Sequence, residues 1–382
     1  MGITFNLIIG FLLGIGVSSF LLPMILRIAK EKKLYDIPDS RKVHEEGIPR
    51  LGGIVFVPAL IFSIALLIGF NQFHIQHFHP KSDIAFLSLS NNVPFFLCAL
   101  LMTYTIGMVD DLVGINYRIK FGVQILSAAL LAFGNIYLRN LFGLFGIGAI
   151  PPIAGILISM LLIVYIVNAI NLADGVDGLS SVITGIALLY YGLHYYFSGE
   201  LILTLETFIL LGAVIPFYLY NVFGTTAKNK KIFMGDTGSL SIGLILTIFG
   251  LHICSTEYPV TTVGFNPLVA GLAPLLLPCL DVFRVFAARI LQGKNPFLGD
   301  RNHFHHKLLD VGLSKLMVTI VYGLYTIIIG GATLFLSRSV NVTYLLIGNL
   351  IIYFATILLL NSIIIRRGRE AAKGPARAAQ AL

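Results

Sequence analysis

Charged residues are scarce in this sequence. Only 12% of the 382 residues are Asp, Glu, Lys or Arg, whereas 57% are hydrophobic. Soluble domains carry about 25% charged residues, so this composition excludes an ordinary soluble fold. Apolar runs of about 20 residues fill nearly the whole chain, and a run of that length can cross a bilayer as a helix. The composition therefore predicts a protein that crosses the membrane many times.

Cysteine is also rare, and its spacing excludes the common metal-binding and redox patterns. Cys98, Cys254 and Cys279 lie in or beside apolar runs and form no Cys-x-x-Cys pair. We therefore expect all three to be small buried hydrophobic residues. The first charged side chain is Arg27, and the preceding run lacks the basic start of a signal peptide. The first run is therefore expected to stay in the protein as a span.

The apolar runs predict an all-α, polytopic membrane helix bundle of about eleven transmembrane helices. They form one integral-membrane domain, residues 1–367, and the polar, Ala-rich residues 368–382 are expected to form a disordered cytoplasmic tail. The predicted spans are Ile3–Leu26, Leu51–Phe70, Val93–Val109, Phe121–Leu138, Pro151–Val167, Leu179–Phe197, Leu201–Val222, Leu240–Ile253, Pro267–Arg289, Leu316–Leu336 and Thr343–Ile365.

The basic residues predict the orientation of the bundle. When the loops are assigned to alternate sides, all of the 26 Lys and Arg residues except Lys81, Arg139 and Arg338 fall on one side. Loops rich in Lys and Arg face the cytoplasm, so we expect the N-terminus outside and the C-terminus inside. The net charge of +8 then reflects topology and contact with anionic membrane lipids, and no nucleic-acid partner is needed to explain it.

The acidic residues follow the same asymmetry, which the rule for basic residues does not require. Of 18 Asp and Glu residues, only Asp83, Glu200, Glu206 and Glu257 fall on the outer side. Carboxylates and basic groups therefore share one face. A site for an anionic, metal-bound substrate needs this combination.

The stretch Asn168–Leu179 concentrates polar groups between two uncharged runs. An ionised carboxylate in hydrocarbon costs at least about 2.5 kcal/mol, so these groups must face water, a cation or hydrogen-bond donors. Gly175 and Gly178 suggest an unwound helix end that gathers the side chains. The polar residues recur at every third position, as Asn168, Asn171, Asp174 and Asp177.

Two further acidic segments lie at the ends of predicted spans. Asp110 and Asp111 end the third span, and adjacent carboxylates either raise one pKa or require a divalent cation. Asp236 lies in Phe233-Met-Gly-Asp-Thr-Gly-Ser239 at the start of the eighth span. This segment either caps its helix or binds phosphate at the helix N-terminus. Phe233 either stacks on a base or packs in the protein.

Basic groups come from two loops on the predicted cytoplasmic side. Arg301, His303, His305 and His306 lie within six residues, a pattern typical of an anion-binding or metal-binding cluster. Zinc is disfavoured because no cysteine accompanies the histidines. In the first inside loop, Lys42 and Arg50 either bind substrate or only set the topology.

In this order, the segments resemble the polyprenyl-phosphate N-acetylhexosamine-1-phosphate transferase superfamily. The matching segments are Pro49–Gly53, Gly107–Asp111, Asn168–Leu179, Phe233–Ser239 and Pro296–His306. The resemblance implies transfer of a sugar 1-phosphate from a UDP-N-acetylhexosamine to undecaprenyl phosphate, with release of UMP. It also implies Mg²⁺, for which Mn²⁺ can substitute, and an active site on the cytoplasmic face of the bacterial plasma membrane.

The histidine segment indicates the branch of this superfamily. Asp300-Arg-Asn-His-Phe-His-His306 is similar to the pattern of the GlcNAc-1-phosphate transferases that start O-antigen and wall teichoic acid synthesis. The branch that transfers phospho-MurNAc-pentapeptide in peptidoglycan synthesis carries three consecutive histidines, which Phe304 interrupts here. We therefore expect UDP-GlcNAc as the donor, with the second branch as the alternative. The sequence leaves a homodimer open.

The resemblance also implies a role for each candidate residue. Asp236 is the leading metal ligand with Asp111 as the second, and Asp110, Asp111 and His305 are the expected catalytic residues. The expected substrate-binding residues are Lys42, Arg50, Asn168, Asn171, Asp174, Asp177, Phe233, Arg301, His303 and His306.

Two functions of other classes remain as alternatives. A transporter would place ionisable groups near the middle of the membrane, where they often mark an ion or substrate pathway. A non-catalytic scaffold would not need several carboxylate motifs on one side. The predicted positions of the carboxylates, at one face, favour the enzyme.

Overall fold

The computed structural model describes residues 3–35, 47–78, 92–226, 230–254, 264–295 and 300–379. These residues form helices α1 Ile3–Glu31, α2 Phe56–Phe78, α3 Val93–Val113, α4 Tyr117–Phe133, α5 Pro152–Ala173, α6 Leu179–Ser198, α7 Leu201–Val222, α8 Gly235–Cys254, α9 Pro267–Leu272, α10 Leu276–Leu291, α11 Phe304–Asp310, α12 Lys315–Leu336 and α13 Val342–Ala379. Strands β1 Asn140–Leu144 and β2 Ile147–Ala149 lie between α4 and α5. Short 3-10 turns precede α2 and α10.

The polytopic helix bundle predicted from the sequence is confirmed. Each of the eleven predicted spans overlaps a helix or, for α9 and α10, a broken helix. Within the described ranges, nine helical segments are long and apolar enough to cross a membrane. Helix α4 has only 17 residues, and α6 carries four tyrosines and a histidine, so these two are not among the nine. The count of eleven spans and the orientation of the termini therefore stay predictions.

The structure adds two features to the predicted fold. A β-hairpin forms where the sequence suggested only a connection, with Asn140 opposite Ala149 and Leu144 opposite Ile147. Both residues of its turn, Phe145 and Gly146, have positive φ angles, which glycine adopts without steric cost. At the C-terminus, α13 continues to Ala379, and the predicted domain bounds and disordered tail stay predictions. The Ala, Arg, Lys and Glu residues there have high helix propensity.

Helix α8 forms the centre of the bundle. In its span, 94% of the residues are buried, and it packs against α3, α5, α6 and α9. Helices in membranes approach closely where their contact residues are small. Gly107 of α3 is such a residue, since a Cβ atom there would lie 2.7 Å from the Cα atom of Thr237. A larger residue at Gly107 would push α3 away from the start of α8.

The polar segments meet at one end of this bundle. Helices α3 and α5 end there, and α4, α8 and α12 begin there, as shown by direct contacts among their terminal residues. Short backbone hydrogen bonds also join the segment before α2 to the segment before α8, from Gly52 to Phe233 and from Gly53 to Met234. The fold therefore brings distant parts of the chain to a single polar region.

Candidate active site

Asp111 joins the end of α3 to the start of α8. Its Oδ1 atom accepts the N–H of Asp236 at 2.8 Å, and its Oδ2 atom accepts the N–H and the hydroxyl of Thr237 at 2.9 and 2.6 Å. The first turn of a helix leaves such N–H groups unpaired, and its dipole favours a carboxylate there. Both oxygens of Asp111 therefore hold the start of α8, and its role as a base or a metal ligand stays a prediction.

Lys120 lies between two carboxylates. Its Nζ atom is 3.0 Å from Oδ2 of Asp110 and 2.8 Å from Oδ2 of Asp236. The Oδ1 atom of Asp110 accepts the N–H of Ile115 at 2.7 Å. The three charged side chains are between 16% and 24% exposed, so they are open to a ligand while water screens them only in part. The structure thus brings Asp110 and Asp236 together around one cation.

Amide side chains surround this cluster on the α5 side. Asn171 donates its amide N–H to Oδ1 of Asp236 at 3.1 Å and to the hydroxyl of Ser239 at 2.8 Å. One turn earlier, Asn168 donates to Oε1 of Gln124 at 2.6 Å. Asn171 therefore orients Asp236, and Asn168 links α5 to α4.

A cavity of about 130 Å³ opens beside these groups. Its wall combines a cation, carboxylates, amides and aromatic rings, which suits a polar anionic ligand with a ring. The lining residues are Tyr117, Lys120, Phe121, Gln124, Asn168, Asn171, Leu172, Asp236, Leu240, Val285, Phe286, Asp300 and His303. The structure therefore places Asn168, Asn171, Asp236 and His303, among the predicted site residues, on one cavity.

Asp174 and Asp177 do not line this cavity, although they belong to the same sequence motif. Asp174 accepts the hydroxyl of Ser180 at 2.5 Å. Burial raises the pKa of the Asp174 carboxyl to about 7, and the charges of Asp236 and Asp111 act in the same direction. Asp177 forms ion pairs with Lys231 at 2.9 Å and Lys315 at 3.0 Å, so it connects the loop to the starts of α8 and α12.

The histidine segment lies against the loop after α5. His305 is 1% exposed, and burial lowers its pKa to about 3, so its ring is neutral at physiological pH. A Cβ atom on Gly175 would lie 2.7 Å from Nε2 of His305, so a larger residue would displace the ring or the loop. Burial also lowers the pKa of half-buried His306. Arg301 is exposed.

Two of the remaining predicted residues, Arg50 and Phe233, lie in segments next to the start of α8. Arg50 is exposed, and its charge favours the ionised form of Asp174. Phe233 is half-buried and does not line the cavity, and its N–H bonds to the carbonyl oxygen of Pro49 at 2.8 Å. Lys42 lies outside the described residues.

Comparison with known proteins gives concordant matches. A sequence model of glycosyl transferase family 4 matches residues 93–253. A relative named undecaprenyl-phosphate alpha-N-acetylglucosaminyl 1-phosphate transferase, from Pasteurella multocida (strain Pm70), is 32% identical over 305 residues, 78% of each chain. This chain belongs to glycosyl transferase family 4. The family predicted from the sequence is thereby confirmed.

Two other family 4 relatives carry the same name. The protein from Yersinia pestis is 28% identical over 299 residues, which cover 76% of this chain and 73% of the relative. The protein from Escherichia coli O157:H7 is 24% identical over 291 residues, which cover 76% of this chain and 72% of the relative. The similarity therefore extends well beyond the segment that the family model matches.

Two carboxylates of this family 4 protein suit a metal ion whose other ligands come from water and the substrate. Within the part of the chain that the structure describes, no three His, Cys, Asp or Glu side chains form a metal-binding group. Mg²⁺ however commonly uses only one or two carboxylates, with waters and substrate phosphates as the other ligands. Asp110 and Asp236 provide two carboxylates that already approach one cation, the ammonium group of Lys120.

Sequence reasoning missed the roles of three residues in the family 4 site. Lys120 counted only as a charge that sets topology, and Gln124 and Asp281 received no role. Lys120 and Gln124 are polar residues four positions apart in an otherwise apolar segment, and this spacing puts them on one helix face. This shared polar face could have indicated that Lys120 and Gln124 belong to the site. Asp281 has one partner, Arg284, three positions along the same helix, but its other partners lie in other segments of the chain.

Proposed function

We propose that this protein transfers GlcNAc 1-phosphate from UDP-GlcNAc to undecaprenyl phosphate, which yields UMP and undecaprenyl-diphosphate-GlcNAc. The observation that carries the proposal is the Asp110–Lys120–Asp236 cluster beside the cavity. The names of the family 4 relatives support the choice of donor and acceptor. This reaction would begin the synthesis of a cell-envelope glycan.

The reaction joins two anions, so charge neutralisation is the main demand on the site. An oxygen of the lipid phosphate bonds to the β-phosphorus of the UDP-sugar, and the bond from that phosphorus to the bridging oxygen breaks. The bridging oxygen leaves with UMP. Fixed cations next to the reacting phosphates stabilise the charge that develops in the transition state. Lys120 is the cation of this cluster that lines the cavity.

Mg²⁺ would be held by Asp110 and Asp236, with Mn²⁺ as a substitute. When bound, the metal supplies charge neutralisation on the diphosphate. Asn171 keeps Asp236 in place for this task through its 3.1 Å hydrogen bond. The predicted metal role of Asp111 is not part of the proposal, because its oxygens hold the start of α8.

Asp110 is also proposed to orient the lipid phosphate or to remove its last proton. The second pKa of a phosphate monoester is about 6, so much of the acceptor is already dianionic at pH 7. A base therefore needs to remove a proton from only part of the acceptor. Its neighbour Lys120 keeps Asp110 close to the place where the phosphates would meet.

The donor would bind through the amides and histidines of the cavity. Asn168, Asn171 and His303 line it, and neutral His305 lies directly behind the Gly175 loop. Arg301 directly follows Asp300 of the cavity wall and Arg50 lies next to Gly235, so these exposed basic residues would attract the phosphates. Asp174 and Asp177 are proposed to shape this loop, since their partners are Ser180, Lys231 and Lys315.

The protein is proposed to lie in the bacterial inner membrane with this site at the cytoplasmic face. The strong asymmetry of Lys and Arg supports that orientation. UDP-sugars are made in the cytoplasm, so the donor would reach the site directly.

A direct assay tests the proposed function. Purified protein in detergent is mixed with undecaprenyl phosphate, Mg²⁺ and UDP-GlcNAc, and the released UMP is measured beside parallel reactions with UDP-GalNAc and UDP-MurNAc-pentapeptide. We expect UMP release with UDP-GlcNAc that requires the lipid. Preferred use of UDP-MurNAc-pentapeptide, or no lipid-dependent UMP with any donor, would contradict the proposal.

A further inference from the structure

Asp281 of α10 lies at the centre of a buried hydrogen-bond network behind the cavity. Its Oδ1 atom accepts Nη2 of Arg284 at 3.0 Å, the N–H of Phe304 at 3.0 Å and the hydroxyl of Tyr353 at 2.6 Å. Its Oδ2 atom lies 2.9 Å from Nδ1 of His303. The side chains of Asp281, Arg284 and His303 are only 5% to 6% exposed.

The partners of Asp281 determine where His303 carries its proton. A guanidinium and a backbone N–H can only donate, and an ionised carboxylate can only accept. The hydroxyl of Tyr353 accepts Nε of Arg284 at 3.2 Å, so its own hydrogen is directed to Asp281. His303 must therefore donate from Nδ1. The other ring nitrogen is Nε2, and His303 lines the cavity.

The network also fixes the position of the histidine segment. Asp281 and Arg284 belong to α10, Tyr353 belongs to α13, and His303 directly precedes Phe304, the first residue of α11. Arg284 donates a further hydrogen bond to the carbonyl oxygen of Asn302. The segment before α11 is therefore held by two helices that come from distant parts of the chain.

We propose that Asp281 is a positioning residue for the transfer reaction, acting through His303. Asp281 holds the ring with hydrogen on Nδ1, so that Nε2 accepts a hydrogen bond from a hydroxyl group of the nucleotide sugar. Tyr353 and Arg284 hold Asp281 in turn. The identity of the ligand rests on the proposed function, whereas the position of the hydrogen on Nδ1 of His303 does not.

The substitution Asp281→Asn tests this role with little change in shape. Three donors meet at Oδ1 and one at Oδ2, so the new amide nitrogen is best accommodated at the Oδ2 position, facing His303. His303 must then accept at Nδ1 and carry its hydrogen on Nε2. We expect kcat for UMP release to fall about 10²-fold or more, because a histidine in the wrong tautomer is a poor partner for its substrate.

Two tyrosines give a matched pair of control variants. Tyr353 and Tyr325 both pack on the ring of Phe304, with ring centroids 6.0 and 5.5 Å away. Only Tyr353 bonds to Asp281, whereas the hydroxyl of Tyr325 lies 3.4 Å from that of Thr356. We expect Tyr353→Phe to lower kcat and Tyr325→Phe to leave it unchanged. Equal effects of the two substitutions would overturn the proposal.

A double-mutant cycle separates positioning from general support of the fold. If Asp281 acts through His303, Asp281→Asn has no further effect on kcat once His303 is replaced by Gln. If Asp281→Asn lowers kcat by the same factor in the wild-type protein and in His303→Gln, the proposal is overturned.

A spectroscopic measurement gives an answer that needs no enzymatic activity. Histidine is labelled with ¹⁵N in purified wild-type protein, and the signals of His303 among the nine histidines are identified by their loss in His303→Gln. We expect hydrogen on Nδ1 in the wild type and on Nε2 in Asp281→Asn. The same tautomer in both proteins would overturn the proposal. If the tautomer changes but no donor is used, the proposed function fails while the effect of Asp281 on His303 stands.

Discussion

The ammonium group of Lys120 lies 2.8 Å from Oδ2 of Asp236. The two residues are 116 positions apart in the sequence and come from different helices. Their contact balances the charge of a carboxylate at the start of the central helix. Lys120 also contacts Asp110, so both carboxylates proposed to bind the metal share one counter-ion.

Replacing Lys120 should disable transfer without unfolding the protein. In Lys120→Gln the two carboxylates lose their shared cation, and the phosphates lose a positive group of the cavity wall. We expect a loss of kcat/KM for UDP-GlcNAc of about 10²-fold or more, as is typical when a charge-stabilising group is removed. Lys294→Gln is the control, because Lys294 is exposed and contacts Gln292 outside the cavity. A similar loss in both variants would contradict a specific role for Lys120.

Replacement of Asp111 should lower the stability of the protein, whereas replacement of Asp236 should abolish its activity. Asp111→Asn removes one acceptor from the start of α8, and loss of a helix cap costs about 0.5–2 kcal/mol. We expect a lower midpoint temperature of unfolding in detergent for Asp111→Asn and retention of measurable UMP release. Asp236→Asn should abolish release and keep the midpoint close to that of the wild type. The reverse pattern would show that Asp111, and not Asp236, takes part in the reaction.

Gly175→Ala should disturb the histidine segment. The added methyl group would lie 2.7 Å from Nε2 of His305, so the ring or the loop must move. Displacement of site groups by about 1 Å can cost 10²-fold in rate, and we expect a loss of this order. Gly185→Ala is the control, because its Cβ atom would meet only a side-chain carbon of Leu211 at 4.0 Å. If the kcat values of Gly175→Ala and Gly185→Ala lie within threefold of each other, this account is contradicted.

The stability of the protein should depend on the ionisation of Asp174. Burial raises the pKa of this carboxyl to about 7 in the folded protein, above the ordinary value of 3.8. Between these two pH values the folded state binds more protons than the unfolded state, so stability falls as pH rises to about 7. We expect the midpoint temperature of wild type minus that of Asp174→Asn to decrease from pH 5 to pH 8. A difference that rises over this range would contradict the burial of Asp174.

The sequence predicted the helices and most of the site segments for physical reasons. Long apolar runs must satisfy their backbone groups internally in lipid, so the helices followed from composition. Asn171 and Asp236 could be named because polar groups beside apolar runs are costly without a function. Their contact at 3.1 Å agrees with the expectation that these motifs converge.

The roles within the site depend on geometry that a sequence does not contain. Asp110 and Asp111 are neighbours, yet one faces Lys120 and the other caps α8. Asp177 continues the spacing of Asn168 and Asn171, but the unwound turn directs it to two lysines. Only the arrangement of the helices distinguishes these carboxylates.

The fate of the β-phosphate tests the central claim most directly. The donor is UDP-GlcNAc with ³²P in the β-phosphate, mixed with undecaprenyl phosphate and either wild-type protein or Asp236→Asn. We expect the label in the lipid product of the wild type, none in the released nucleotide, and no labelled lipid with Asp236→Asn. Label that leaves as UDP, or equal labelling of lipid by both proteins, would contradict transfer of a sugar 1-phosphate at this site.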